Sequence, residues 1–201
     1  MRTPTPSPKW LTRSAPVFFF ATVFMTYGGA RQGAPWRGLV VMLVMHAVYI
    51  SFTADKGRRV LLVLVAGAMG FAVECGMAIT GFYTIAEPGR WMIPAPWCPE
   101  WMLVLWLNFG FFLYEYTMRM LGKVRYTTIL GIVFALMIYS NAARMHTITL
   151  RAPVVLSVAV GALLWAMVVP VLYWTGQKLT TYSRDSAIPQ TSESTDGGKK
   201  E

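Results

Sequence analysis

The sequence predicts an all-α, polytopic transmembrane helical bundle, and three observations carry this prediction. Hydrophobic residues make up 55% of the 201 residues and charged residues only 13%, against about 25% charged residues in a soluble domain. The charges are concentrated in short connecting segments and in the two ends of the chain. Long apolar runs lie between them, and helices are the default in lipid because unpaired backbone groups there are costly.

Six apolar segments are interpreted as membrane spans. The first two are short for a full span of about 17–25 residues, so a re-entrant hairpin is the alternative for them. Cleavage after the first segment, as in a signal peptide, also stays open. The six segments are Ala15–Ala30, Gly38–Thr53, Val60–Tyr83, Glu100–Leu121, Tyr126–Ala143 and Pro153–Thr175.

The basic residues indicate the topology of the six spans. Most of the 18 Lys and Arg residues fall on the same side as the amino terminus, and the positive-inside rule places that side in the cytoplasm. Residues 1–14 and 178–201 are then cytoplasmic tails flanking a bundle at 15–177. The second tail is polar and short of aromatic residues, so we expect it to be disordered. The basic residues predicted on the outer side are Arg31, Arg37, Arg90, Arg144 and Arg151.

The net charge of +9 does not indicate a nucleic-acid partner. The basic residues flank apolar segments, whereas nucleic-acid binding requires them to form one patch. The lipid bilayer is the predicted surrounding, and the partner within it is either another membrane protein or a lipid-like ligand.

Glu74 is the most informative residue, because it lies inside the third apolar run, VLLVLVAGAMGFAVECGMAITGFY, with no cation near it in sequence. A charged group at that depth costs at least about 2.5–3 kcal/mol, so it usually faces a protein interior or water. Asn108 on the fourth segment and His46 on the second lie at comparable depths. The three could share one polar layer, which would be either a pocket or proton-handling site or a hydrogen-bonded packing cluster.

Two more polar residues are candidates for the intramembrane site. Glu115 has Arg119 four residues later, a spacing that allows an ion pair on one helix face. Arg144 either extends to the outer headgroups or turns inward to pair with Glu74. No catalytic motif and no metal-ligand spacing is present. The two histidines, His46 and His146, lie at depths too different to ligate one haem, and the sequence assigns no cofactor.

Four motifs follow one another along the chain: GFAVECGMAITGFY, an outer Pro–Trp loop leading into LWLNFGFFL, then YSNAARM and WAMVVPVLYW. Together they resemble the DUF2878 family of small bacterial inner-membrane proteins of unknown function. The resemblance spans residues 16–175 and implies a helical bundle in a bacterial inner membrane, without implying a reaction. Family-like positions are His46, Glu74, Pro96, Trp97, Trp106, Tyr139, Ala143, Arg144, Trp165 and Pro170.

Two classes of function follow from these observations. The first interpretation is an accessory or assembly subunit that docks on a larger membrane complex, with structural polar residues. The alternative is a protein that binds or modifies a lipid or small hydrophobic molecule through a site centred on Glu74. A small transporter is a weaker alternative, since no inverted repeat is evident. Whether the protein is an enzyme stays open.

Overall fold

The computed structural model describes residues 9–53, 56–86, 90–114, 124–151 and 153–185. This part of the chain forms six α-helices and one short antiparallel ladder, so the predicted all-α class is confirmed. The strands are β1 (Tyr83–Ile85) and β2 (Ile148–Leu150). The helices are α1 (Lys9–Arg31), α2 (Trp36–Ser51), α3 (Lys56–Ile79), α4 (Glu100–Phe112), α5 (Val124–Arg144) and α6 (Val154–Asp185).

Three of these helices are long and apolar enough to cross a membrane. They are α3, α5 and the Val154–Leu179 part of α6, while α2 and α4 are shorter apolar helices. Large apolar side chains cover the outer surface of the bundle, including Val155 at 80% exposure and Leu163 at 61%, as is expected of helices that face lipid. The chain is therefore described as a membrane protein, and the count of six spans and the cytoplasmic position of both termini remain predictions.

The end of α3 corrects the sequence interpretation, which extended this helix to Tyr83. The helix ends at Ile79 because Gly81 adopts φ +79°. Its N–H donates to the Ala78 carbonyl at 3.1 Å, and the next N–H donates to the Met77 carbonyl at 3.0 Å. This pair of bonds is a Schellman motif, and it turns the chain into β1.

The end of α5 repeats the same arrangement. His146 has φ 55°, its N–H donates to the Ala143 carbonyl at 3.0 Å, and the Thr147 N–H donates to the Ala142 carbonyl at 3.0 Å. The two matching turns lead into β1 and β2, which pair in antiparallel register with Tyr83 opposite Leu150. The ladder thereby connects the ends of α3 and α5, a feature that the sequence analysis did not predict.

The bounds of other helices also differ from the prediction. α1 begins at Lys9 rather than Ala15, and α6 continues to Asp185 rather than Thr175. The first residues of the predicted carboxy-terminal tail are therefore helical, and the rest of that tail lies outside the described residues. The predicted fourth segment is confirmed as helix over Glu100–Phe112, and its remainder extends past the described range at residue 114.

Helix α4 lies at the centre of the packing. It is apolar on every face, which is the pattern of a helix buried all round, and α1, α2 and α3 all pack against it. α5 and α6 pack closely together, and α6 also contacts α3. Aromatic rings join these helices, with ring centroids 4.3 Å apart for Trp106 and Trp165 and 5.4 Å apart for Phe19 and Phe134.

Close contact between α3 and α4 depends on glycine at position 70. A Cβ built there would overlap the indole of Trp106, whereas a Cβ at Gly76 on the same helix meets nothing within 4 Å. We expect Gly70→Ala to lower the free energy of unfolding by about 1–3 kcal/mol, because overpacking forces the indole or the backbone to move. Thermal unfolding in detergent measures this, with Gly76→Ala as the matched control. Equal melting temperatures for the two variants would contradict the packing.

Candidate functional site

Glu74 lies in the last turns of α3 and is 1% exposed. It is surrounded by apolar and aromatic side chains, and no ion pair reaches it from the described residues. A buried carboxyl group without a hydrogen-bond partner would be costly. Its partners therefore decide what this group can do.

Neutral donors surround the Glu74 carboxyl group, and the geometry of three of them is well defined. The Tyr83 hydroxyl donates to Oε2 at 2.8 Å, and the Tyr139 hydroxyl donates to Oε1 at 3.0 Å. The indole N–H of Trp165 donates to Oε1 at a longer 3.4 Å. These donors come from β1, α5 and α6, so one side chain of α3 is hydrogen-bonded to three other elements of the fold.

The chain of hydrogen bonds continues from Tyr83 to Cys98. The Tyr83 oxygen lies 3.3 Å from the Cys98 Sγ, which is fully buried. Burial raises the pKa of the Cys98 thiol and raises the pKa of the Tyr83 hydroxyl well above its usual value. Both groups therefore stay protonated at neutral pH, and the thiol can donate to Tyr83 while Tyr83 donates to Glu74.

The space beside Glu74 is small. A cavity of about 10 Å³ is lined by Glu74, Phe19, Trp106 and Trp165 among others. That volume corresponds to about one water molecule. The carboxyl group can accept hydrogen bonds and hold a proton or a water there, but this cavity leaves no room for a larger ligand.

The structure does not bring Glu74, Asn108 and His46 into one cluster. The Asn108 amide donates to the Phe19 carbonyl of α1 at 3.1 Å, and it interacts with His46 on α2. Among the described residues, no hydrogen bond joins either residue to Glu74, whose partners lie on β1, α5 and α6. Asn108 and His46 are thus neighbours, and Glu74 belongs to a separate site.

His46 stacks on Phe111 of α4, with ring centroids 4.5 Å apart and planes 26° apart. The imidazole is 9% exposed, and its Nε2 has no hydrogen-bond partner within the described part of the chain. Most buried polar atoms have a partner, so this nitrogen indicates a position where a further group can bind.

The remaining sequence-predicted residues do not join either site. Arg144 is exposed at the end of α5 and makes no ion pair with Glu74. Glu115 lies outside the described residues, as does its predicted partner Arg119. Across the described ranges, no group of three or more His, Cys, Asp or Glu side chains could hold a metal ion.

A larger cavity lies next to His46 and is called here the α2–α3 groove. Its volume is about 330 Å³, and it is lined by residues of α2, α3 and α4. Its rim reaches the outer surface, because Leu43 and Leu64 line it and are 55% and 56% exposed. The groove lies where α2 and α3 both pack on α4 but scarcely contact each other. Leu107 and Phe111 of α4 also line the cavity.

Arg59 on α3 also lines the groove. It is only 2% exposed, and its guanidinium carbon lies 4.5 Å from the centre of the Tyr114 ring. A cation over an aromatic face is attracted by the ring quadrupole, so this contact helps to fix the guanidinium in position. The α2–α3 groove therefore combines an apolar lining with a buried arginine and a buried histidine.

Sequence reasoning missed several of these residues as site residues. The sequence analysis places Tyr83 at the end of the third predicted span and does not single out Arg59. Tyr139 and Trp165 were noted as family-like positions, but their separation from Glu74 along the chain gives no sign of contact. A rule that every buried carboxyl group needs donors could have directed attention to the tyrosines and tryptophans of the neighbouring helices.

The fold and the two sites define a helical membrane protein with a fully hydrogen-bonded carboxyl group in its interior and a groove at its surface. The chain belongs to the family DUF2878, a protein family of unknown function, which matches residues 16–171 and confirms the resemblance seen in the motifs. No match is found among the curated proteins or among the solved structures.

Substitutions at Glu74 separate a hydrogen-bonding role from a charge requirement. Glu74→Gln retains one acceptor oxygen for Tyr139 and Trp165, and its NH₂ group can donate to Tyr83, so we expect a loss of about 1 kcal/mol in unfolding free energy. Glu74→Leu removes the carboxyl acceptor, so the Trp165 N–H loses its bond while Tyr83 and Tyr139 retain only the Glu74 carbonyl at 3.1 Å and the Met77 Sδ at 3.2 Å. We expect a loss of more than about 2 kcal/mol. Thermal unfolding of the two variants measures the difference, and a leucine variant as stable as the glutamine variant would argue against it.

The raised pKa of Cys98 has a consequence for its reactivity. The thiolate is the reactive form, so the buried thiol should not gain reactivity between pH 7 and 9, where an ordinary thiol with a pKa of about 8.5 becomes ionised. We expect no maleimide labelling of Cys98 in the folded protein over this range and full labelling after denaturation. Mass spectrometry of the labelled peptides measures this. Thr84→Cys, at an exposed position of β1, is the positive control that should label faster as the pH rises.

Proposed function

We propose that the protein binds a hydrophobic, lipid-like molecule within the membrane, in the α2–α3 groove. The observation that supports this proposal is the groove itself, which combines a volume of about 330 Å³ with a surface opening among apolar side chains. This volume is at the lower end of the range of about 300–1,000 Å³ that is common for small-molecule sites. The unpartnered Nε2 of His46 gives the groove a polar point that could orient a ligand.

The proposal moves the ligand site away from Glu74, where the sequence analysis placed it. The cavity beside Glu74 is about 10 Å³, and the carboxyl oxygens already accept hydrogen bonds from Tyr83, Tyr139 and Trp165. An enclosed carboxyl group whose oxygens already accept hydrogen bonds stabilises the packing of the helices around it. Glu74 is accordingly given a structural role in this proposal, and His46 and the lining of the groove take the binding role.

The accessory-subunit role is the competing hypothesis. It requires a protein surface to cover part of the lipid-facing exterior, whereas the lipid-binding role requires only that the groove be filled by a small molecule. Native mass spectrometry on gently solubilised protein separates the two, since a bound lipid and a bound protein differ greatly in mass. A protein partner with an empty groove would favour the accessory role, and a stoichiometric lipid would favour binding.

A substitution that fills the groove tests the proposed binding. Ala47 lines the groove, whereas Val48 is 41% exposed on the same helix and does not line it. We expect Ala47→Trp to abolish the stoichiometric lipid adduct, because the indole would occupy the space of the ligand. Val48→Trp is the matched control and should retain the adduct. Retention of the adduct in both variants would place the lipid elsewhere on the protein.

A further inference from the structure

The imidazole of His46 lines the α2–α3 groove, and its two ring nitrogens differ in their partners. Nε2 has no hydrogen-bond partner within the described part of the chain, so the bond between His46 and the Asn108 side chain is made by Nδ1. The imidazole is 9% exposed, and Nε2 itself is enclosed. A buried polar atom without a partner costs free energy, so a ligand that pairs with Nε2 has an advantage over one that does not.

Asn108 determines which kind of group Nε2 can pair with. The amide nitrogen of Asn108 donates to the Phe19 carbonyl of α1 at 3.1 Å, on the other side from α2. The amide oxygen only accepts, so a bond from His46 to this oxygen requires the hydrogen of the ring on Nδ1. A neutral imidazole carries a single N–H, and Nε2 is then an acceptor that needs a donor from the ligand.

We infer that the ligand of the α2–α3 groove is a neutral single-chain amphiphile whose hydroxyl group donates a hydrogen bond to Nε2 of His46, while Nδ1 donates to the Asn108 oxygen. This inference rests on the proposed function and names the chemical class of its ligand. A carboxylate or an ester presents only acceptors, and it would set an acceptor against the lone pair of Nε2. The guanidinium of Arg59 also lines the groove, but it lies over the Tyr114 ring and is not part of this contact.

The size and the lining of the groove favour one apolar chain. Its volume of about 330 Å³ is at the lower end for a ligand site, and the two acyl chains of a phospholipid would need much more space. Leu107 and Phe111 of α4 line one side of the groove. Leu43 and Leu64 line it as well and are exposed at the surface. The chain of the ligand thus lies against α4 on one side and faces the bilayer on the other.

The test compares hexadecanol with 1-methoxyhexadecane on the full chain in phosphatidylcholine nanodiscs. Saturable binding of each radiolabelled compound is measured directly, and empty nanodiscs give the background. We expect the alcohol to bind about tenfold more tightly, which corresponds to about 1.4 kcal/mol, because the ether retains the oxygen and the chain but lacks the O–H donor.

The outcomes of this comparison separate the ligand class from the proposed function. Equal affinity of the alcohol and the ether would overturn the hydroxyl donor and leave the groove as a lipid site. Saturable binding of neither compound would overturn the proposed function as well. Hexadecanoic acid is a third arm at neutral pH, and tighter binding of the acid than of the alcohol would overturn the neutral head group.

Two histidine variants test the role of His46. An asparagine side chain places its amide near the position of Nδ1 and has no atom at the position of Nε2. His46→Asn should therefore bring the alcohol and the ether to equal affinity. His146→Asn is the matched control and should retain the tenfold preference, since His146 is exposed at φ 55°, a backbone conformation in which asparagine is common. An unchanged preference in His46→Asn would overturn the assignment of His46.

Nitrogen-15 NMR of the histidine side chains locates the ring hydrogen without altering His46. The sequence contains two histidines, so the spectrum of His146→Asn shows His46 alone. We expect a hydrogen on Nδ1 and none on Nε2, and we expect the Nε2 resonance to shift with hexadecanol but not with 1-methoxyhexadecane. A hydrogen on Nε2 in the ligand-free protein would overturn the inference, because the nitrogen would then need an acceptor from the ligand.

Discussion

The need to satisfy one carboxyl group in an apolar interior organises half of this molecule. Glu74 is 1% exposed, and a group of this kind persists in such surroundings only when donors reach it. Tyr83, Tyr139 and Trp165 reach it from three different elements. Because each donor must arrive at a fixed distance, the carboxyl group sets where β1, α5 and α6 lie relative to α3. The two Schellman turns and the short ladder then hold Tyr83 in position.

The donors to Glu74 are neutral, and this affects both the stability of the carboxyl site and its ability to exchange ligands. An arginine partner would form a buried ion pair, in which removal of one partner leaves an uncompensated charge. Neutral hydroxyl and indole donors can hydrogen-bond to the carboxyl group in either of its protonation states. The cavity of about 10 Å³ beside Glu74 is consistent with this closed arrangement. This part of the bundle is therefore suited to holding the helices together and poorly suited to exchanging ligands.

Composition and segment pattern were sufficient to predict the fold class, because every long apolar segment in lipid is expected to be helical. The centres of the helices followed from the same signal. Their ends did not, since the end of α3 depends on Gly81 adopting a left-handed conformation, which hydropathy does not register. The carboxyl group of Glu74 was identified from its local context alone. Its partners could not be, because Tyr139 and Trp165 are distant in sequence and only the packing of α5 and α6 brings them to it.

The two halves of the bundle differ because of how their helices meet α4. Towards the ladder, Gly70 allows the Trp106 indole to pack directly on α3, and the aromatic side chains around Glu74 leave a space the size of one water. Towards the α2–α3 connection, α2 and α3 both pack on α4 but scarcely contact each other, and the α2–α3 groove lies between them. His46 and Arg59 are buried at this opening. The half around Glu74 is closed and hydrogen-bonded, and the half at the α2–α3 connection contains the groove in which we propose that a lipid-like ligand binds.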